Sequence, residues 1–375
     1  MTVLLAPDKF KGSLSAREVC AALAAGVRRV YPEAEIIERP LADGGEGSLE
    51  VLREVLPLHV HRLEVTGPLR RRVAAEYLLG EGKAFIETAR ACGLQHVPPG
   101  RRDPGITTTI GVGELVEDAV VRGAREVYLF LGGSATNDCG AGMAGALGYR
   151  FWSDRGHDFI PTGNSLGYTR RIDPSEVMAA LDQITFVGVC DVDNPLLGPT
   201  GATMVYARQK GAETADLLTL EEHIIHFADL LQRDLGYDTA GVPGAGAAGG
   251  LGAACLAFLN GSLRSGIEVL LETVGFSRLL ARADLVITGE GKIDEQTPRG
   301  KVVAGVGKAA AAAGVPVIAL GGIRTVGAAE LPFLTDLRAI RDDPAVSFER
   351  AMAEAGELLA ALAIGSLRDF RAQTK

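Results

Sequence analysis

Five loops in this sequence combine carboxylates or amides with glycine, and each follows an apolar run typical of a buried strand. They cover residues 8–13, 43–48, 132–138, 191–194 and 289–294. Phosphoryl transfer needs such parts, because its catalysis is mainly positioning plus neutralisation of charge by backbone amides, lysine or arginine, and metal held on carboxylates. A single aspartate in such a loop could equally form a turn or cap a helix. The repetition at five strand ends favours phosphoryl-transfer chemistry.

Residues 284–294 show the pattern most clearly. The apolar run Leu285–Thr288 leads into Gly289, Glu290, Gly291 and Lys292, and Asp294 follows. Enzymes of the α/β class present their chemistry at the carboxyl edge of a sheet in this way. We therefore expect the backbone of residues 289–292 to cradle phosphate.

Lysines and paired acids supply the other candidate groups. Lys9 and Lys11 lie in a loop between a predicted buried strand and a predicted capped helix, where they can meet phosphate or a carboxylate substrate. Lys301, at the start of a helix, fits a surface ion pair better. Asp191 and Asp193 are two residues apart, and such carboxylate oxygens are ligands that Mg²⁺ prefers.

Composition excludes several classes of protein. The chain has 375 residues, which favours two domains, and its net charge of −9 argues against a nucleic-acid-binding surface. The first residues lack the basic and apolar segments of a signal peptide. Residues 239–263 are uncharged, but their glycines and Pro243 argue against a membrane span. The five scattered cysteines favour a reducing compartment, so we expect a cytoplasmic enzyme.

Hydrophobic periodicity predicts alternating strands and helices at both ends of the chain. Two strand–loop–helix units open it, with strands near 3–7 and 35–41, and Ser15 and Glu18 predict a capping box for the first helix. After Pro57 the rhythm changes to paired strands near 59–65, 73–79 and 83–87, and the middle of the chain contains a loop-rich region up to about residue 175. Strands return near 285–288, 315–320 and 337–341.

Two opening strands and three closing strands are what a flavodoxin-like, doubly wound parallel sheet of order 2-1-3-4-5 requires. The fold expected is therefore α/β, with a discontinuous flavodoxin-like domain made of residues 1–62 and 283–375. Residues 63–282 would form a second, inserted α/β domain. The active site is expected in the cleft between the two domains. Residues 244–249 fit a dinucleotide-binding pattern, but no predicted strand precedes them, so a Rossmann site is not expected there.

Six segments, taken together and in this order, resemble the glycerate kinase family of the bacterial, two-domain type. They are residues 6–15 (APDKFKGSLS), 40–48 (PLADGGEGS), 132–138 (GGSATND), 190–195 (CDVDNP), 243–250 (PGAGAAGG) and 288–294 (TGEGKID). The resemblance implies an ATP- and Mg²⁺-dependent kinase that acts on D-glycerate and gives 2-phosphoglycerate. One departure is Cys139, where the family usually has a second glycine after Asn-Asp.

The resemblance and the chemistry together suggest a role for each loop. Asp191 is the preferred base, Asp43 would orient the hydroxyl groups of glycerate, and Lys9 or Lys11 would pair with its carboxylate. The remaining substrate-binding candidates are Asp8, Gly44, Gly45 and Glu46. The nucleotide-binding candidates are Gly132, Gly133, Ser134, Asn137, Gly289, Glu290, Gly291 and Lys292. The metal candidates are Asp193 and Asp294.

Two other functions remain open from the sequence. A kinase for another small hydroxy acid or polyol would use the same loops, because pocket shape cannot be read from sequence. A catalytically silent ligand-binding relative would be expected to lose the acids, all of which are present. A homo-oligomer is compatible with the sequence.

Overall fold

The computed structural model describes residues 1–45 and 47–373. In chain order the strands are β1 Thr2–Leu5, β2 Glu35–Glu38, β3 His59–Thr66, β4 Arg72–Gly80, β5 Lys83–Glu87, β6 Glu126–Phe130, β7 Arg150–Ser153, β8 Thr169–Asp173, β9 Thr185–Val189, β10 Ser262–Arg264, β11 Leu285–Thr288, β12 Lys292–Ile293, β13 Val317–Gly321, β14 Ile323–Arg324 and β15 Asp336–Ala339. The α-helices are α1 Ala16–Val30, α2 Ser48–Val55, α3 Ala89–Cys92, α4 Ile110–Val121, α5 Ala141–Ala146, α6 Ala202–Tyr206, α7 Asp216–Leu230, α8 Ala247–Leu259, α9 Gly266–Thr273, α10 Phe276–Leu280, α11 Val302–Ala312, α12 Phe348–Ala353 and α13 Ala355–Gln373.

The chain folds into two compact units. The first consists of Met1–Leu56 and Ser265–Lys375, and the second of Pro57–Arg264. A boundary at residue 62 would cut through β3, which pairs with β4 over its whole length. A boundary at 283 would separate α9 and α10 from the first unit, whose core contains Ile267, Phe276 and Leu280. Strand pairing therefore assigns all of β3 to the second unit, and core packing assigns α9 and α10 to the first. The change in composition had predicted the boundaries at residues 62 and 283 instead.

The first unit contains a five-stranded sheet of order β15-β13-β11-β1-β2. All neighbouring strands are parallel, and Val3 of β1 lies between Leu285 of β11 and Ile36 of β2. This is the flavodoxin-like order 2-1-3-4-5, so the predicted fold class is confirmed.

Alternate residues of these strands enter two different cores. Val3 and Leu5 of β1 pack with residues of α1 and α13, whereas Leu4 packs with residues of α9, α10 and α11. Because successive side chains of a strand point to opposite faces, a parallel sheet covered by helices on both sides needs apolar residues at consecutive positions. The strands of this sheet therefore appear in the sequence as continuous apolar runs, because both of their faces are buried.

Helix α1 begins at the predicted capping box. The Glu18 amide donates to Ser15 Oγ at 3.3 Å, and the Ser15 amide donates to Glu18 Oε2 at 2.8 Å. Val19, Leu23 and Val27 form its buried stripe. Gly26 lies on the same side, where an added Cβ would come within 2.7 Å of Ala363 Cβ in α13. The two helices therefore pack backbone against backbone at this point.

Replacing Gly26 by valine is expected to lower the free energy of unfolding by about 1–3 kcal/mol, because overpacking forces the two helices apart. The measurement is urea-induced unfolding followed by circular dichroism. Ala25→Val on the exposed side of α1 is the matched control, with an expected change below about 0.5 kcal/mol. Equal effects of the two substitutions would show that the α1–α13 contact does not limit side-chain size.

The second unit contains a six-stranded sheet of order β10-β9-β6-β5-β4-β3. The strands predicted to pair near residues 59–87 do so: β3 with β4 and β4 with β5 are antiparallel, while β5, β6, β9 and β10 are parallel neighbours. The region predicted as loop-rich contains an antiparallel pair, β7 with β8. These strands are only 4 and 5 residues long and carry charged residues, which interrupt the apolar pattern that identifies a strand. Arg150 and Arg171 of the pair lie over the ring of Trp152. Within the described residues, no helix is both long and apolar enough to cross a membrane.

Candidate active site

Three of the predicted loops meet at the carboxyl edge of the first unit's sheet. The Asp8 amide donates to the carbonyl oxygen of Gly289 at 2.8 Å, which joins the loop after β1 to the loop after β11. The Leu41 amide donates to Pro7 O at 2.9 Å, which joins the segment after β2 to β1. Strand order reverses between β1 and β11, and ligands of open α/β sheets bind in the crevice at such a switch point.

A cavity of about 380 Å³ lies at this switch point, and every residue that lines it belongs to the first unit. Among the residues that the structure describes, three acids line it: Asp8, Asp43 and Glu290. Its cations are Lys9, Lys11, Lys292, Lys301 and Arg341. Its apolar residues include Phe10, Ile323, Ile340, Phe348 and Met352. This combination of charges and apolar surface is typical of a binding site for an anionic organic ligand.

Burial raises the pKa of Asp8 to about 7. This value includes the neighbouring charges of Asp43 and Glu290, which add to the rise because like charges oppose ionisation, and the amide of Lys9, which donates to Asp8 Oδ1 at 2.6 Å and lowers the pKa. A carboxyl group that gains and loses a proton near neutral pH is suited to general acid–base chemistry. The perturbation and the cavity together mark Asp8 as a functional candidate.

Glu290 lies beside Asp8 and is 4% exposed. Burial raises its pKa to about 7, whereas the hydroxyl of Thr297, which donates to Glu290 Oε1, and the charge of Lys301 lower it. Its other oxygen, Oε2, is buried and accepts no hydrogen bond from any described residue. A buried carboxylate oxygen without a partner is costly, so this atom points to a ligand or cation that would satisfy it.

Removing the Thr297 hydroxyl tests the electrostatics of Glu290. In Thr297→Val the pKa of Glu290 is expected to rise above its value of about 7, because the main interaction that stabilises the carboxylate is lost. The measurement is the carbon-13 chemical shift of the Glu290 carboxyl group as a function of pH, and the midpoint should rise by about one unit. Thr335→Val, elsewhere in the first unit, is the control. An unchanged midpoint would show that Thr297 does not tune Glu290.

In the loop after β2, the side chain of Asp43 accepts a hydrogen bond from the backbone of the same loop. The Gly45 amide donates to Asp43 Oδ1 at 3.0 Å, and Gly44 has a φ of 92°, in the left-handed region that glycine adopts readily. Asp43 therefore already uses the Gly45 amide that sequence analysis assigned to substrate. Glu46, another predicted substrate-binding residue, lies outside the described residues.

Asp294 forms ion pairs with two lysines. Lys292 Nζ lies 3.0 Å from its Oδ2, and Lys301 Nζ lies 3.4 Å from its Oδ1. Burial raises the pKa of Asp294, but the hydrogen bonds from Lys292 and the Gln296 amide, with the charge of Lys301, outweigh it and leave the pKa below its usual value. Lys301 thus forms the ion pair expected from the sequence and also lines the cavity.

In the second unit, the loop at residues 132–138 is mostly buried. Asn137 is fully buried and its Nδ2 donates to Thr203 Oγ1 at 3.2 Å, while Ser134 Oγ accepts from Lys210 Nζ at 3.0 Å. Ser134 Oγ and Asn137 Nδ2, in side chains predicted to bind nucleotide, therefore have partners within the protein, whereas Asn137 Oδ1 is buried without one among the described residues. Gly132 and Gly133 are exposed, so their backbone can still approach a ligand.

Asp191 and Asp193 are exposed in the second unit. The next residue, Asn194, is held in place: its Nδ2 donates to Thr200 O at 2.8 Å, and its Oδ1 accepts from the Tyr206 hydroxyl. Among the described residues, no group of three or more His, Cys, Asp or Glu side chains is arranged to hold a metal ion. The assignments of Asp191 as base and of Asp193 and Asp294 as metal ligands stay predictions.

Sequence analysis missed several residues of these sites. Arg341 is the second residue after β15, so the strand-end signal that identified the other loops could have found it. Phe348 and Thr297 carry no such signal, because their roles depend on contacts between segments distant in the chain. Lys210 is 3% exposed, and nothing in its neighbours Gln209 and Gly211 distinguishes it from a surface lysine.

The doubly wound parallel sheet, with acids and lysines at its switch point, places this chain among α/β proteins of the kind that bind ligands at that position. The family model described as the glycerate kinase family matches residues 3–370. The chain belongs to the glycerate kinase family.

The chain is also similar to proteins named glycerate kinase and to a solved structure. A glycerate kinase of Bacillus cereus is 48% identical over 324 residues, which cover 86% of this chain and 85% of the relative. The glycerate 2-kinase of Escherichia coli is 42% identical, with 87% and 86% of the two chains covered. A crystal structure from Salmonella typhimurium LT2, of a protein assigned as glycerate kinase 2, superposes with a TM-score of 0.88 at 40% identity and covers 100% of this chain and 99% of that one.

Proposed function

We propose that this protein transfers the γ-phosphoryl group of ATP to D-glycerate and releases 2-phosphoglycerate. The main observation in support is the pair of acids Asp8, which is partly buried, and Glu290, which is buried. Both have a pKa of about 7, and they line a cavity that also contains Lys9, Lys11 and Lys292. Such a cavity offers cations for two anionic substrates and an acid that can take up a proton. Both are requirements of phosphoryl transfer to a hydroxyl group.

In this proposal Asp8 accepts the proton of the attacking hydroxyl group. A general base works best when its pKa lies near the working pH, and Asp8 meets that condition through burial. Asp191, preferred from the sequence, is the alternative base. Lys9 and Lys11 would pair with the carboxylate of glycerate, and the backbone of residues 289–292 with Lys292 would hold the phosphates.

The acids of the cavity fit a magnesium ion that arrives with ATP. Glu290 Oε2 is buried without a partner among the described residues, and the charge of Asp43 raises the pKa of both Asp8 and Glu290. Because Mg²⁺ is usually held by one or two carboxylates together with substrate phosphates and water, a complete protein cage is not needed. Glu290 and Asp43 would hold it, and when bound it would neutralise charge on the phosphates.

A coupled assay with ATP, Mg²⁺ and D-glycerate tests the function directly. The expected result is ATP-dependent turnover of D-glycerate, with the product identified by NMR as the 2-phospho isomer. L-glycerate and glycerol are the comparison substrates, because they differ in configuration or lack the carboxylate. Faster turnover of glycerol would favour a polyol kinase, and a 3-phospho product would refute the proposed position of transfer.

A further inference from the structure

The geometry points to the apolar wall of the switch-point cavity, formed by Phe10, Ile323, Ile340, Phe348 and Met352, as the subsite for the nucleoside base of the phosphate donor. This inference rests on the proposed function for the choice of donor. The nucleoside base would then bind to the first unit, a location that the sequence did not predict.

The cavity is too large and too apolar for glycerate alone. Its volume of about 380 Å³ falls in the range of sites for drug-sized ligands, roughly 300–1,000 Å³. Every carbon of glycerate carries oxygen, so a three-carbon acid has no apolar surface to place against Phe10, Ile340 or Phe348. The apolar wall therefore requires another ligand group, and the planar base is the apolar part of a nucleoside triphosphate.

The wall combines a buried floor with an exposed aromatic rim. Phe10 is 3% exposed and lies against the loop glycines, since a Cβ on Gly289 or Gly322 would be 3.7 Å from its ring. Ile340 is 5% exposed, whereas Phe348, at the start of α12, is 55% exposed. A large exposed aromatic side chain beside an apolar cavity is suited to stack on a base, which contributes about 1–3 kcal/mol.

The order of the strands separates Ile323 and Ile340 of this wall from Asp8 and Asp43, whereas Phe10 follows β1 as Asp8 does. Ile323 and Ile340 follow β13 and β15, whereas Asp8 and Asp43 follow β1 and β2 at the other side of the sheet. Three interstrand steps from β15 to β1 span about 14 Å at roughly 4.8 Å per step. Lys292, which follows β11 between them, lies where an extended triphosphate would cross from the base to the acids.

Phe348→Ala tests the subsite by equilibrium binding, without requiring turnover. Isothermal titration with ATP, tripolyphosphate and adenosine separates the contributions of base and phosphates. In the variant the affinity for ATP is expected to fall about tenfold, the affinity for adenosine to fall in parallel, and the affinity for tripolyphosphate to stay within about twofold. Phe348→Tyr should restore ATP binding because its ring can still stack. Val121→Ala, at a side chain 71% exposed in the second unit, is the control.

Folding of the variant is not expected to interfere, because no side chain of α12 is buried. An equal loss for ATP and tripolyphosphate, or no loss for ATP, would overturn the subsite. If the wild-type protein binds ATP with this pattern but fails to phosphorylate D-glycerate, the proposed function fails while the base subsite stands.

Discussion

Asp8→Asn is expected to reduce kcat by about 100- to 10,000-fold, the range attributed to a lost general base. The same substitution is expected to make the protein more stable at pH 8. Both effects have one cause, the burial of Asp8 among other acids, which raises its pKa from 3.8 to about 7. Asparagine removes the ionisable group but keeps an oxygen at Oδ1 for the Lys9 amide.

The sign of the stability change follows from proton linkage. The carboxyl group of the unfolded chain ionises near pH 3.8, whereas in the folded protein it retains its proton up to about pH 7. Between these values the folded state binds more protons, so its stability falls as the pH rises, and the full penalty is present above pH 7. Each pKa unit corresponds to about 1.4 kcal/mol. The shift of Asp8 is coupled to the charges of Asp43 and Glu290, and its side chain is partly exposed. We therefore expect a gain of about 1–3 kcal/mol for Asp8→Asn at pH 8, below the full shift.

The measurements are kcat with D-glycerate and ATP, and urea unfolding at pH 5 and pH 8. The stability difference between variant and wild type should be larger at pH 8 than at pH 5. Asp154→Asn, at an exposed turn of the second unit, should change neither kcat nor stability. Turnover within tenfold of wild type would exclude Asp8 as the base and favour Asp191. If Asp8→Asn is less stable than wild type at pH 8, the ionised Asp8 carboxylate does not destabilise the folded protein.

Lys210→Met is expected to lower the free energy of unfolding by about 2–4 kcal/mol. The buried ammonium donates to Ser134 Oγ at 3.0 Å and to Thr136 O at 2.8 Å, and methionine fills similar space without replacing either bond. The surrounding backbone leaves no room to repack, because an added Cβ on Gly249 would lie 1.9 Å from Thr136 O. Two acceptors would therefore remain buried without a donor.

The expected decrease in the free energy of unfolding is limited because burying the charged Lys210 side chain itself costs free energy. Burial lowers its pKa from 10.5 to about 8, while the neighbouring Cys92 and Asp138 side chains raise it in part. Between pH 8 and pH 10.5 the unfolded chain binds more protons at this site, so the site's contribution to stability rises with pH over that window. Guanidinium unfolding at pH 7 and pH 9.5 measures both effects. Lys308→Met on the exposed side of α11 is the control, and an equal shift of its unfolding midpoint would contradict a structural role for Lys210.

Local patterns were sufficient for most of the fold of the first unit. The capping box at Ser15 and Glu18 involves four consecutive residues, and the apolar runs of β1, β11 and β13 reflect burial on both faces of a parallel sheet. The antiparallel pair β7–β8 was missed because both strands are short and charged residues such as Arg150 and Arg171 interrupt their apolar pattern. The boundary between the two units near residue 264 could not be predicted from the sequence either. Helices α9 and α10 belong to the first unit only because their side chains pack in its core.

The sequence by itself determined the family, the doubly wound fold and the loops that carry the chemistry, because strand-end glycines and carboxylates are encoded within short segments. Only the tertiary structure decided which of these groups interact and how. The pKa values of Asp8 and Glu290 depend on burial and on charges brought together from three separate loops. Partners such as Thr297 and Lys210 depend on contacts that no local pattern specifies. Residue type and spacing thus identify candidate groups, whereas their protonation and exposure arise from packing of the whole unit.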